Sequence, residues 1–172
     1  MKRIISITLT LAMCLVVLLT ATSCGANDNA LNKYIEKNGC DGLTLTIKWV
    51  PAKVLFPKPP SIDEIKIITD KIIEVDGKEL SEHIDLITSL ATTKPKDAGE
   101  VEGVDARLYY VFKTADGEEL FEVCMGSIDR ETGEVRYIVN GEMVHFDKIY
   151  FDVIRPFLTE EFDQDFYYLR CK

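Results

Sequence analysis

The sequence predicts an α+β domain: an antiparallel sheet, built from a four-stranded meander plus strands nearer the amino terminus, covered by one amphipathic helix and by an aromatic carboxyl-terminal segment packed on it. Three observations carry that expectation. Between Leu108 and Phe146 apolar residues recur at every second position, interrupted by Asp116-Gly117, Gly133 and Asn140-Gly141, the turn chemistry of short hairpins. Between Leu80 and Ala91 the apolar spacing lengthens to three and four residues, the stripe of a single helix. Eight of the sixteen aromatic residues then crowd between Phe146 and Tyr168, more than water tolerates without a core to receive them. The composition, 47% hydrophobic and 28% charged over 172 residues, is that of an ordinary globular chain and excludes collagenous, coiled-coil and wholly disordered readings.

At the amino terminus, Lys2 and Arg3 precede an uncharged, largely apolar run from Ile4 to Ala21, the n-region and h-region of an export signal. The run ends in Ala21-Thr22-Ser23-Cys24-Gly25, which resembles the lipobox of bacterial lipoproteins: small residues before a cysteine and a small residue after it. It departs from the family pattern at Ala21, where leucine is usual. The resemblance implies that residues 1–23 are a signal peptide, that Cys24 carries a diacylglycerol as the first mature residue, and that the body lies on the extracytoplasmic face of a bacterial membrane. Two acyl chains at about 0.8 kcal/mol per buried CH₂ anchor a protein stably. The competing reading is an uncleaved transmembrane helix, since about 18 apolar residues span a bilayer. Either way the positive residues keep Lys2 and Arg3 inside and the body outside.

Residues 24–42 hold four Asn, three Gly and two Asp and read as a lipidated, flexible tether with at most a short helical turn near Leu31, leaving 43–172 as one domain. Leu43 to Trp49 alternates apolar and polar residues as a half-buried strand does. Pro51, Pro57, Pro59 and Pro60 impose an extended loop on the next ten residues. Ile65 to Val75 is rich in Ile and reads as strand, broken into a hairpin near Asp70, before Asp76-Gly77 ends it. A helix is expected over 79–92, closed before Pro95, and a polar loop over 94–105. After the meander, Asp147 to Arg155 reads as a short helix stopped by Pro156. Thr159 is placed to cap another with Phe162, Phe166 and Leu169 on its buried face, although Phe166 to Leu169 serves equally as strand.

Removing Lys2 and Arg3 leaves 18 basic against 29 acidic residues, a net charge of −11 on the mature body. Such a surface repels phosphate backbones and anionic headgroups, which argues against nucleic acid and against a basic membrane patch. The expected partners are the membrane, through the lipid, and a protein. With Cys14 in the signal and Cys24 acylated, Cys40, Cys124 and Cys171 remain, an odd number. Cys40 and Cys171 lie near opposite ends of the folded part, where chain ends often meet, and form the candidate disulfide. Cys124 falls inside a strand pattern as a small core residue.

No GxSxG, SxxK, HExxH, phosphate-binding glycine loop or CxxC occurs in the mature part, and two histidines cannot build a three-histidine metal site. No metal or cofactor is expected. The sharpest enzymatic reading is a small cell-surface thiol enzyme or hydrolase with Cys124 as nucleophile, His145 as base and Asp147 orienting it. The plainer reading makes them a core thiol and a strand-surface histidine. Asp129, Glu131 and Glu134 offer oxygen ligands for calcium but lack the spacing of a known loop, and a solvated turn explains them. Pro57 and Pro60 have PxxP spacing, which a rigid connecting loop also accounts for. Val54, Leu55 and Phe56 in that loop must either fold back on the core or meet a partner. The function that fits best is an anchored binding or interaction module.

Overall fold

The computed structural model of the protein describes residues 29–51, 53–99, 105–128 and 135–165. Thirteen elements are formed there. In order they are α1 (Ala30–Asn38), β1 (Leu43–Trp49), α2 (Ile62–Ile68), β2 (Ile72–Val75), α3 (Gly77–Ser81), α4 (Ile84–Thr92), β3 (Leu108–Thr114), β4 (Glu119–Ile128), β5 (Val135–Val139), β6 (Glu142–Val144), α5 (Ile149–Asp152), a 3₁₀ turn (Arg155–Phe157) and α6 (Glu160–Asp165). The six strands make one antiparallel sheet in the order β2-β1-β3-β4-β5-β6. The expected α+β class, the meander and the more amino-terminal strands are all present.

Each strand presents one row of side chains to a main core. Leu43, Leu45, Ile47 and Trp49 from β1, Tyr110 and Phe112 from β3, Val123 and Met125 from β4, and Tyr137 and Val139 from β5 share that face. The register Ile47 with Tyr110, Tyr110 with Val123 and Val123 with Val139 carries the row across four strands. Helices cover it: Leu31 of α1, Leu80 of α3, Ile87, Leu90 and Ala91 of α4, Tyr150 of α5 and Phe162 of α6 are buried against it. Thus α4 supplies part of the helix cover and several other short elements supply the rest.

Helix α1 corrects the expectation of a flexible tether over 24–42. Asn29 caps it, its Oδ1 accepting from Leu31 N at 3.0 Å, and the same side chain donates through Nδ2 to Ala91 O at 3.1 Å. Leu31 is completely buried. The polar composition that reads as tether is the exposed side of a helix, and one leucine is enough to dock it. Residues 30–38 are therefore part of the packed domain.

Residues 65–75 depart from expectation as well. Ser61 and Glu64 form a capping box, Glu64 N donating to Ser61 Oγ at 3.3 Å and Ser61 N to Glu64 Oε2 at 2.7 Å, and start the helix α2 where a strand was expected. Only Ile72–Val75 is strand. Capping overrides the β preference of a local run of isoleucines because α2 has a second apolar surface to lie on. Tyr109, Val111, Cys124 and Ile138 are buried on the opposite face of the sheet, together with Ile65, Val50 and Ala106. The expected single helix over 79–92 is also divided: Asp76 caps α3, and 3₁₀-type bonds from Glu82 and His83 break the chain before α4. The break seats the His83 ring edge-on against Phe157, with centroids 5.3 Å apart.

The carboxyl-terminal aromatics divide. Tyr150, Phe157 and Phe162 are buried, whereas Phe146 is exposed and stands 6.1 Å from the Tyr137 ring. Phe162 lies edge-on to Trp49, and Trp49 Nε1 donates to Asp165 Oδ2 at 3.1 Å. Thr159 Oγ1 accepts from Phe162 N at 3.3 Å, as the expected cap does. Phe166 to Leu169 lie outside the described residues.

If α1 is part of the core, Leu31→Ala removes a fully buried side chain and costs about 2–5 kcal/mol. Urea unfolding of the variant should show a clearly lowered midpoint with unchanged slope. An unchanged midpoint would restore the tether.

Candidate functional site

The residues read as a nucleophilic pair are not brought together. Cys124 faces the second core beneath α2 and is 1% exposed, its Sγ contacting Met125 O at 3.5 Å. Burial pushes its thiol up to about 12, with the Glu122 carboxylate adding to the effect, which is opposite to what a nucleophile at neutral pH requires. His145 is exposed just past β6, and Cys124 pairs with Ile138 of β5, which pairs with Met143 of β6. Two strand spacings, roughly 10 Å, lie between the backbones that carry the pair. Asp147 turns to its own chain, Oδ1 accepting from Ile149 N at 3.1 Å at the start of α5. Asp129, Glu131, Glu134, Cys24 and Cys171 lie outside the described residues. Among the described residues no cluster of three or more His, Cys, Asp or Glu is arranged to hold a metal, and no helix is long and apolar enough to cross a membrane.

Two features are built with more care. The first is a polar cluster on the second face. Lys66 of α2 pairs with Glu122 at 2.9 Å and lies over the Tyr109 ring, 4.9 Å from its centroid. Tyr109 donates its hydroxyl to the same carboxylate at 3.1 Å, and Lys48 Nζ donates to Lys66 O at 2.6 Å. Burial opposes the Lys66 charge, but Glu122 and the more distant Glu119 and Asp63 outweigh it and hold the ammonium above its usual range. Burial, followed by the Glu122 charge, likewise keeps the Tyr109 phenol protonated. These groups latch α2 onto the sheet. Their separations of 56 and 13 residues carry no motif, so sequence reasoning passes them by.

The second is a cleft of about 460 Å³ where β2 runs into α3, lined by Cys40, Asp41, Asp76, Gly77, Lys78 and Ser81. Cys40 reaches it as a buried, free thiol, raised by that burial. Gly77 makes the close approach possible, because a Cβ there would lie 2.1 Å from Cys40 O. The floor of the cleft is therefore fixed backbone.

The proline loop also divides. Phe56 folds under the Arg107 guanidinium, 5.1 Å from its centroid, and Arg107 donates to Val54 O at 2.8 Å. Pro60 O accepts from Ala106 N at 3.0 Å, so the loop is tied to the domain. Leu55, in contrast, is 89% exposed, and Ile67 on the outward side of α2 is 82% exposed. No family model, curated protein or solved structure matches the chain.

The buried thiol and phenols give a pH signature. Cys124 moves from 9.0 to about 12, and Tyr150, mainly by burial, from 10.0 to about 12. The folded state thus binds more protons than the unfolded one between these values. Their contribution is complete below pH 9 and is lost as pH rises towards 12. Unfolding midpoints measured from pH 8 to 11 should fall steadily above 9, and a flat profile would contradict the burial of these groups. Cys124 should also resist alkylation in the native protein at pH 8.

Proposed function

We propose that the protein is a membrane-anchored, extracytoplasmic binding module, held by lipid on Cys24 and engaging a protein partner through the layer formed by residues 50–68. The observation that carries this reading is the exposure of Leu55 and Ile67 on that layer, the two most exposed large apolar side chains among the described residues. Val54 and Ile68 extend the same apolar character.

The position of α1 sharpens the geometry. Asn29 is five residues from Cys24, a span of at most about 18 Å when fully extended. Anchoring would hold the domain close to the bilayer by its helix-covered face, through which the chain enters at Asn29. Leu55 and Ile67 belong to the layer on the other side of the sheet. That placement favours a protein over the lipid surface as the occupant, and the acidic net charge of the body agrees.

Intact mass of the membrane-extracted protein should show loss of residues 1–23 plus a diacylglycerol, and Cys24→Ala should abolish both changes. A full-length, unmodified mass would overturn the anchor. A photo-crosslinking residue at position 55 or 67, in cells, should yield one shared heteromeric adduct that the same residue at exposed Glu36 does not. Equal labelling at all three positions would overturn the docking face, and an adduct of twice the chain mass would make the occupant a second copy.

A further inference from the structure

The cover over the second face of the sheet stops short of one edge. Helix α2 lies over β3 and β1, and Lys48 Nζ reaches from β1 to the Lys66 carbonyl at 2.6 Å. Ile72 of β2 is opposite Lys48, which is opposite the buried Tyr109 of β3, so Ile72 and, two residues on, Glu74 belong to the face that α2 covers. Ile73 and Val75, one residue out of phase, pack into the main core. Ile72 and Glu74 themselves are left exposed. The chain reaches them directly from Ile67 and Ile68, which are exposed at the end of α2, so that Ile68 at 46% and Ile72 at 45% continue the apolar surface of Ile67 onto the sheet.

The charge bordering this surface is acidic. Asp63 stands one helical turn before Ile67 on α2, and Asp70 and Glu74 each lie two residues from Ile72. The neighbouring cations are already engaged: Lys66 pairs with Glu122, Lys71 with Glu161, and Lys48 donates to a backbone carbonyl. Among the described residues Asp63, Asp70 and Glu74 form no ion pair. Glu74 is held in place by Thr46, whose Oγ1 donates to Glu74 Oε2 at 2.8 Å. Apolar side chains bordered by carboxylates that lack cations are complementary to a surface that combines an apolar anchor with Lys or Arg.

We propose that the surface formed by Ile67, Ile68 and Ile72 docks a cationic segment of the protein partner, in which an apolar side chain seats on the isoleucines and flanking Lys or Arg residues pair with Asp63, Asp70 and Glu74. The inference rests on the docking face proposed above and names the chemistry of its occupant. Contact is made by side chains on the face of β2 and α2, so it does not depend on the few backbone groups of the short β2 edge. Charge decides between the possible occupants. A second copy of this chain, meeting the same patch across a twofold axis, would bring the same unpaired carboxylates against these. An anionic bilayer is repelled for the same reason.

The test uses the full chain in cells with the photo-crosslinking residue at position 67. Adding Asp70→Lys and Glu74→Lys should cut the heteromeric adduct at least tenfold. Glu36→Lys with Glu142→Lys alters the net charge equally at two other exposed positions and should leave the adduct unchanged. Asp70→Asn with Glu74→Gln, which keeps an acceptor for Thr46, should give a smaller loss in the same direction and decides the matter if the reversed pair does not fold. Mapping of the adduct should place the crosslink in a partner stretch with Lys or Arg on both sides of an apolar residue. An adduct that neither pair weakens, one weakened equally by the control pair, one mapped to an acidic stretch, or one of twice the chain mass would overturn the cationic partner. A heteromeric adduct in any of these cases leaves the docking face itself standing, whereas no adduct at 67 would overturn both.

Discussion

Burial of β3 on both faces is the constraint from which the rest of the domain follows. Leu108, Tyr110 and Phe112 point into the main core, and Tyr109 and Val111, one residue out of phase, are equally buried on the other side. A strand with no wet face cannot lie in a two-layer domain, because each side chain returned to water forfeits roughly 1.5–3 kcal/mol. A second cover is therefore required over β3 and β4, and α2 with the proline loop is what the chain has available. The Lys66 to Glu122 pair and the Lys48 to Lys66 carbonyl bond then act at the margin of that cover, where the second face turns from apolar to polar. The strength of an ion pair of this partly exposed kind is modest. Its value here is positional, since it fixes which side of α2 faces inward and leaves Ile67 outside.

The meander was legible because its signals are local: alternation within each strand and Gly-containing turns between them. Asn140 and Gly141 both take positive φ, at 50° and 85°, the conformation that makes this dipeptide a hairpin turn. The errors all arose where a distant surface decided the outcome. Residues 65–68 have strand composition, and the helix forms because a capping box precedes it and Tyr109, some forty positions later in the chain, needs covering. Residues 30–38 have the composition of a tether, and the helix is held because Leu31 meets a core assembled from strands far along the sequence. Short-range pattern reports propensity, and packing against residues remote in the chain overrides it when propensity is weak.

The same division runs through the candidate chemistry. That Cys124 belongs to the core could be read from its place in an apolar strand pattern. It is buried because β4 also has two covered faces. The separation of Cys124 from His145 follows from the order β4-β5-β6, which successive hairpins already imply. Nothing in the sequence, however, marked Gly77 as the residue that lets the backbone at Cys40 approach α3, because its φ is not in the left-handed region and the requirement comes entirely from a carbonyl oxygen on another element. Close approach between segments is a property of the fold, and a glycine that serves it looks like any loop glycine.

Sheet edges tie these observations to how such a domain survives in solution. The β6 edge is only three residues long and is shielded by Lys96 to Ala98, so little there invites a second chain. The β2 edge is also short, at four residues, and carries Glu74, but it lies between an exposed Ile72 and the cleft at Cys40. Shortness alone limits how well a foreign strand can pair, because only a few backbone bonds are on offer. An edge of four residues offers a foreign strand little to pair with, and this is how one side of the sheet can remain open without becoming an aggregation site.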